Sequence, residues 1–133
     1  MDSLDAYRFA EGRGYDIEEY HGPLQAFSLP VDGVCAIAFD PDQIKSSDEA
    51  CEVLFHELGH CETLSFYYRG SCCAIREKQE NKADRWAVKK LLPKEELEEA
   101  VRQGNREAWQ LAEYLGRTEA FVRKAIELYQ VCG

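Results

Sequence analysis

Residues 46–63 read SSDEACEVLFHELGHCET, and this stretch decides the fold. Ser46, followed three residues later by Glu49, predicts a capping box at the start of a helix. Leu54 and Leu58 follow at helical spacing, so one face of that helix is expected to be buried. The sequence therefore predicts a long helix that carries the pentapeptide HELGH near its C-terminal end.

This pentapeptide has the form HExxH, a spacing that suits a metal site. His56 and His60 project from one face of a helix and can bind the same metal ion through their ring nitrogens. Glu57, beside the first histidine, then reaches a water on that metal. The alternative is a pair of solvated histidines with the glutamate in an ordinary ion pair. Because the motif lies in a predicted helix, and Gly59 permits another segment to approach closely, we favour the metal site.

A catalytic zinc site needs a third protein ligand and one open position. Thr63 and Phe66 stand where the extended HExxH motif would have its glycine and its third histidine. The third ligand is therefore expected to be a carboxylate. Glu80 and Asp84 share one face of a second predicted helix, residues 74–92. Glu80 is the candidate third ligand, and Asp84 the candidate acceptor for a histidine ring N–H. The alternative is that both acids pair only with neighbouring basic residues, namely Arg76, Lys78, Lys82 and Arg85.

The rest of the chain predicts an α+β fold. Strands are predicted at residues 15–20, 24–29 and 34–39 because short apolar runs alternate with turn residues, and we expect a small three-stranded antiparallel sheet. That sheet would pack on the HExxH helix, followed by an all-helical C-terminal part. We expect a single domain over residues 1–133, in three parts: an N-terminal helix and strands (1–45), the metal-site helices (46–92) and a helical tail (93–133).

Three sequence elements together resemble the ImmA/IrrE family of phage-type zinc metallopeptidases, over nearly the whole chain. They are HELGH, the segment ENKADRWA at residues 80–87 and LLP at residues 91–93. The glutamate-x-x-x-aspartate spacing also resembles the thermolysin-like peptidases, whose third ligand is a glutamate on a following helix.

The resemblance implies a function and a role for each candidate residue. It implies Zn²⁺ held by His56, His60 and Glu80, with Glu57 as the general base. Asp84 would accept a hydrogen bond from the ring N–H of a ligating histidine. It also implies hydrolysis of peptide bonds in a protein partner, such as a helix-turn-helix repressor of a mobile element. The alternative function is a catalytically idle module that binds metal, or that binds DNA or protein through its tail.

Charge and hydropathy limit the partners. The formal net charge is −9, which opposes nucleic-acid binding because phosphate contacts supply most of that affinity. Residues 110–124 have the pattern of a helix-turn-helix, but Arg117, Arg123 and Lys124 are too few cations for a DNA-binding unit, so we do not expect DNA binding.

The longest apolar run, residues 34–39, is far short of the roughly 20 residues that cross a membrane. The N-terminus is acidic where a secretory signal would be basic, so we predict a cytoplasmic location.

Six cysteines are present, and none form the CxxC spacing of a four-cysteine zinc site. Since the cytosol keeps thiols reduced, we expect most of them to be small buried side chains. Cys61, Cys72 and Cys73 lie close to HELGH in the sequence, which leaves open a thiol that competes for the metal.

Peptide hydrolysis also needs a donor for the negatively charged oxygen of the tetrahedral intermediate. The sequence offers four candidates and leaves the choice among them open: Tyr67, Tyr68, Arg69 and His21.

Overall fold

The structure, a computed structural model, describes residues 1–68 and 70–132, with side chains as far as residue 130. The oxyanion candidate Arg69 and the side chain of Cys132 lie outside the described residues. The chain packs into two units, Met1–Ala87 and Val88–Gly133. The single domain expected from the sequence stays a prediction.

The first unit contains one helix, three strands, and then the two helices predicted to carry the metal site. In chain order the elements are α1 (Ser3–Arg13), β1 (Asp16–Glu19), β2 (Ala26–Val31), β3 (Val34–Phe39), a short 3₁₀ helix (Pro41–Gln43), α2 (Ser47–Thr63) and α3 (Cys73–Leu91). The last of these continues into the second unit, which also holds α4 (Lys94–Arg102), α5 (Ala108–Leu115) and α6 (Glu119–Cys132). The predicted α+β class is confirmed.

The sheet has the order β1-β3-β2, and it is mixed rather than antiparallel. Asp32 and Gly33, with φ of 51° and 80°, form a two-residue turn that joins β2 and β3 as an antiparallel hairpin. This hairpin occupies one edge of β3, so β1 pairs with the other edge and runs parallel to it. The prediction of a purely antiparallel sheet was therefore wrong. The connection at residues 20–25 crosses from one side of β3 to the other, which the strand pattern alone does not show.

Helix α2 begins at the predicted cap, although only half of the capping box forms. The backbone N–H of Glu49 donates to Ser46 Oγ at 3.1 Å. The Glu49 carboxylate turns instead to Gln25, whose Nε2 donates to it at 2.7 Å. The helix contacts α1, β2 and β3, and it buries Leu54 and Leu58 as expected.

Two cysteines depart from the prediction of reduced thiols. Cys35 on β3 and Cys61 on α2 form a disulfide with a Cα–Cα distance of 5.8 Å, within the usual range. They lie 26 residues apart and meet because α2 packs on the sheet, which their spacing in the sequence does not reveal. Cys61 is thus no competing thiolate ligand. Cys72 and Cys73 are exposed thiols at the start of α3, and Cys51 is buried as expected.

Gly59 on α2 lies against the backbone of Ala83 on α3, a close approach of the kind the sequence suggested. A Cβ at this position would meet the backbone oxygen of Ala83 at 2.6 Å and its Cα at 3.1 Å. Backbone atoms cannot turn aside as a flexible side chain can, so the two helices would have to separate. The glycine therefore allows the contact between the helices that carry the candidate site.

We expect Gly59→Ala to destabilise the protein by about 1–3 kcal/mol, the usual cost of overpacking a core. Urea unfolding followed by circular dichroism measures the change. The matched control is Gly12→Ala in α1, where an added Cβ meets nothing within 4 Å. That variant should gain up to about 1 kcal/mol from helix propensity. Equal effects in both variants would show that the contact with Ala83 does not limit packing.

Candidate metal centre

The two helices bring together all the residues predicted to form the site. His56 lies opposite Asp84, and His60 opposite Glu80, so the contacts run in the reverse order along α2 and α3 as in an antiparallel pair. One ligand atom each from His56, His60 and Glu80 lie within 4.8 Å of one another. The two carboxylates face histidines here, rather than pairing only with basic neighbours on their own helix.

Both ring nitrogens of His56 have carboxylate partners. Its Nε2 lies 2.7 Å from Glu80 Oε2, and its Nδ1 lies 2.7 Å from Asp84 Oδ1. The charged imidazolium donates from both nitrogens to these carboxylates. Metal binding would replace the proton on Nε2, while the N–H at Nδ1 would still donate to Asp84. Asp84 thus orients the ring as the sequence predicted for an outer partner of a metal ligand.

His60 is oriented by a partner that the sequence analysis missed. Its Nδ1 lies 2.6 Å from the backbone oxygen of Ser65, while its Nε2 lies 3.2 Å from Glu80 Oε1. Leu64, in the left-handed region at φ 52°, ends α2 and turns the chain back so that the Ser65 carbonyl reaches the ring. A backbone carbonyl has no residue signature, so no side-chain pattern could have identified it.

The donor set fits a catalytic zinc ion. Two imidazole nitrogens and one carboxylate are a combination that zinc uses at catalytic sites, with a further position left for water or substrate. Each histidine also has a partner on its other nitrogen, which holds the ring in the required orientation.

Strong mutual hydrogen bonding governs the charges of the three candidate ligands. Burial alone would lower the pKa of His56, but its hydrogen bonds to Asp84 and Glu80 outweigh burial and raise the pKa to about 10. Burial likewise opposes a charged His60, yet its hydrogen bond to Glu80 raises the pKa above the usual value. For Glu80, burial is outweighed by hydrogen bonds from both histidines and Tyr67, which hold the pKa of its carboxyl well below the usual range. The carboxylate is therefore ionised, as a metal ligand must be.

Glu57 follows His56 on α2 and is 7% exposed. Burial raises the pKa of its carboxyl, while the charges of both histidines and a hydrogen bond from Ser28 act in the opposite direction. It lies outside the cluster of three ligand atoms but lines the same groove as His60 and Glu80. This position suits a general base that takes a proton from a water beside the metal, rather than a residue that binds the metal.

Tyr67 is the oxyanion candidate that the structure places at the cluster. Its hydroxyl donates to Glu80 Oε1 at 2.7 Å, and this hydrogen bond and burial raise the pKa of Tyr67 to about 12. Of the other candidates among the described residues, Tyr68 is 78% exposed, and His21 lies against Asp40 and Asp42. Tyr67 therefore offers a protonated hydroxyl beside the ligands.

A groove of about 720 Å³ opens along the site, within the size range of ligand pockets. The polar side chains in its wall include Glu57, His60, Tyr67, Arg76 and Glu80. Its other lining residues are mostly apolar: Pro23, Leu24, Ala26, Phe27, Ser28, Leu29 and Phe66. Four of these belong to β2, an edge strand of the sheet, so the groove runs beside a strand edge.

A second group of potential ligands, His21, Asp40 and Asp42, has a structural explanation. Asp40 caps the 3₁₀ helix by accepting from the backbone N–H of Asp42 at 3.0 Å, and it also accepts from Gln43 Nε2 at 2.9 Å. These hydrogen bonds hold the end of β3, and the group is not part of the groove lining.

We expect Asp84→Ala to weaken zinc binding by about 10–100-fold, because His56 loses the partner that sets its tautomer and orientation. Competition with a chromophoric chelator measures the affinity. Asp84→Asn, which keeps an acceptor oxygen, should lose less, and Glu77→Ala on the exposed face of α3 serves as the control. An unchanged zinc affinity in Asp84→Ala would show that Asp84 does not support zinc binding.

Compared with models of known protein families, the chain matches none, and a comparison with curated proteins likewise finds no match. Within the described residues, no helix combines the length and the apolar character needed to cross a membrane.

Proposed function

We propose that this protein is a zinc-dependent metallopeptidase that hydrolyses peptide bonds in a protein partner, in keeping with its resemblance to the ImmA/IrrE family. One observation carries the proposal. Ligand atoms of His56, His60 and Glu80 converge within 4.8 Å, and Glu57 lines the same groove. A pair of merely solvated histidines would not require two further carboxylates and a backbone carbonyl to hold their rings.

The chain's own residues would divide the chemistry among them. His56, His60 and Glu80 would hold a zinc ion, which when bound would supply Lewis-acid chemistry at the scissile carbonyl and a water of pKa about 7. Glu57 accepts the proton of the attacking water and passes it to the leaving amine. The Tyr67 hydroxyl now donates a hydrogen bond to Glu80. During the reaction it would donate this hydrogen bond to the developing oxyanion instead. Asp84 and the Ser65 carbonyl keep the histidine rings in place.

The groove favours an extended peptide as substrate. A peptide lying along β2 could add to the edge of the sheet through main-chain hydrogen bonds, with Ala26–Leu29 in the wall. Residues 1–87 contain 8 lysines and arginines against 17 aspartates and glutamates, so this unit is strongly acidic. Such a charge attracts a basic surface, such as the phosphate-contacting face of a DNA-binding repressor.

The helical tail, residues 93–133, is poorly suited to binding DNA. Helices α5 and α6 are joined at Gly116, with φ of 68°, which is compatible with a helix-turn-helix. However, Arg117 is buried, and Arg123 forms an ion pair with Glu119 at 2.6 Å. Because a DNA reader needs several cations directed at phosphates, these contacts support a role for the tail in packing or protein binding.

The cytoplasmic location stays a prediction. The Cys35–Cys61 disulfide argues against it, because the reducing systems of the cytosol keep most protein thiols reduced.

Metal analysis combined with peptide cleavage tests the proposed function. The purified protein is reconstituted with zinc, dialysed, and incubated with a mixed-sequence peptide library whose products are read by mass spectrometry, with His60→Ala as the control. We expect about one zinc per chain and cleavage in the wild type, with both lost in His60→Ala. Zinc binding without any cleavage would favour the idle binding module, and a wild type that binds no zinc would overturn the proposal.

A further inference from the structure

Arg76 is the only lysine or arginine among the described residues that line the groove. It lies on α3 four residues before Glu80, so the two side chains share one face of the helix. Its positive charge acts on the hydroxyl of Tyr67 and opposes the rise in the pKa of that group. Arg76 therefore lines the same groove as Tyr67 and Glu80.

The groove's own carboxylates do not engage this guanidinium. Glu80 is held by His56, His60 and Tyr67, and Glu57 is buried beside Ser28. Among the described residues, the guanidinium of Arg76 donates a hydrogen bond to the thiol of Cys73, with Nη2 to Sγ at 3.7 Å. A thiol is a weak acceptor, whereas a guanidinium has five N–H donors suited to a carboxylate.

The position of Arg76 on its helix is also unfavourable for a purely structural role. It lies in the first turn of α3, which contains no acidic residue. The helix macrodipole places partial positive charge there, so a cation is disfavoured in this turn. A cation in this electrostatically unfavourable position, beside a groove, suggests that Arg76 has a functional role.

We propose that Arg76 is a specificity-determining residue that binds a carboxylate of the substrate next to the scissile bond. This inference rests on the proposed peptidase function and names the substrate class within it. The carboxylate belongs either to an acidic side chain or to the C-terminus of the substrate, and a guanidinium binds both in the same bidentate way. The enzyme would thus attract a basic protein through the acidic surface of residues 1–87, and cut it where a carboxylate can reach Arg76.

A matched peptide series tests this assignment. One cleavable sequence from the library is varied to Glu, Gln or Lys at each position flanking the scissile bond, and each peptide is made with a free and with an amidated C-terminus. Values of kcat/KM are measured for the zinc-loaded wild type, Arg76→Gln and Arg76→Glu. The control is Arg85→Gln, an exposed arginine on α3 outside the groove lining, and zinc content confirms that every variant is intact.

We expect the wild type to prefer the peptide with the carboxylate by about tenfold, as for a hydrogen bond to a charged group. Arg76→Gln should remove that preference, Arg76→Glu should shift it to the Lys peptide, and Arg85→Gln should keep the wild-type pattern. Loss of the preference on amidation identifies the C-terminal carboxylate, whereas persistence identifies a side chain. Cleavage by the wild type with no charge preference overturns this inference and leaves the peptidase function intact. A wild type that cleaves no peptide at all overturns both.

Discussion

Replacing Glu57 by Gln is expected to leave the protein folded and loaded with zinc while peptide hydrolysis falls by about 10²–10⁴-fold, the usual contribution of a general base. The amide keeps the shape of the side chain but cannot accept the proton of the attacking water. Because Glu57 lies outside the cluster of three ligand atoms, metal affinity should change little. The measurement is kcat on a cleavable library peptide, with zinc content determined on the same sample.

Glu52→Gln is the matched control, since it removes a carboxylate from the same helix outside the groove lining. It should keep wild-type activity. Hydrolysis retained by Glu57→Gln would remove the general-base role, and hydrolysis lost together with zinc would show that the residue supports the ligands instead.

Removing a ligand should affect metal binding more than any other single change. Structural zinc sites gain about 10–16 kcal/mol from four ligands in all, so one ligand accounts for about 3 kcal/mol, or about 10²–10³-fold in affinity. We therefore expect His60→Ala and Glu80→Gln to weaken zinc binding by this factor, beyond the loss expected for Asp84→Ala. Chelator competition measures the affinity directly.

Thermal unfolding provides an independent reading of the same site. Zinc at 100 times its Kd stabilises the wild type by about 2.7 kcal/mol through mass action, and this stabilisation should be lost at the same zinc concentration in both ligand variants. Glu77→Gln, exposed on α3, is the control and should respond to zinc as the wild type does. A Glu80→Gln variant with wild-type affinity would mean that the third ligand is another residue.

The residues of the candidate site were largely predictable because their relations are local. His56 and His60 share a face of α2, and Glu80 and Asp84 share a face of α3, simply because residues four apart in a helix are neighbours. Because a catalytic zinc has three protein ligands, and the extended histidine motif is absent, a carboxylate is the expected third ligand. Their roles in catalysis stay predictions.

The sheet was predictable only as three strands. Strand positions follow from alternation and turn residues, and Asp32-Gly33 marks the hairpin between β2 and β3. Whether β1 pairs with the free edge of β3 or with the free edge of β2 depends on the path of residues 20–25. The parallel pairing of β1 with β3 therefore could not be derived from the pattern.

The sequence by itself determined the helices, the α+β class and the face of each helix on which the candidate ligands lie, because these depend on neighbours within one turn. Only the tertiary structure decided the partners that come from distant or irregular segments. The Ser65 carbonyl reaches His60 through a left-handed residue, Cys35 meets Cys61 across the packing of α2 on the sheet, and the Tyr67 hydroxyl contacts Glu80. Each of these depends on where a loop or a strand is placed in space, and that placement is set by the packing of the whole unit rather than by the spacing of residue types.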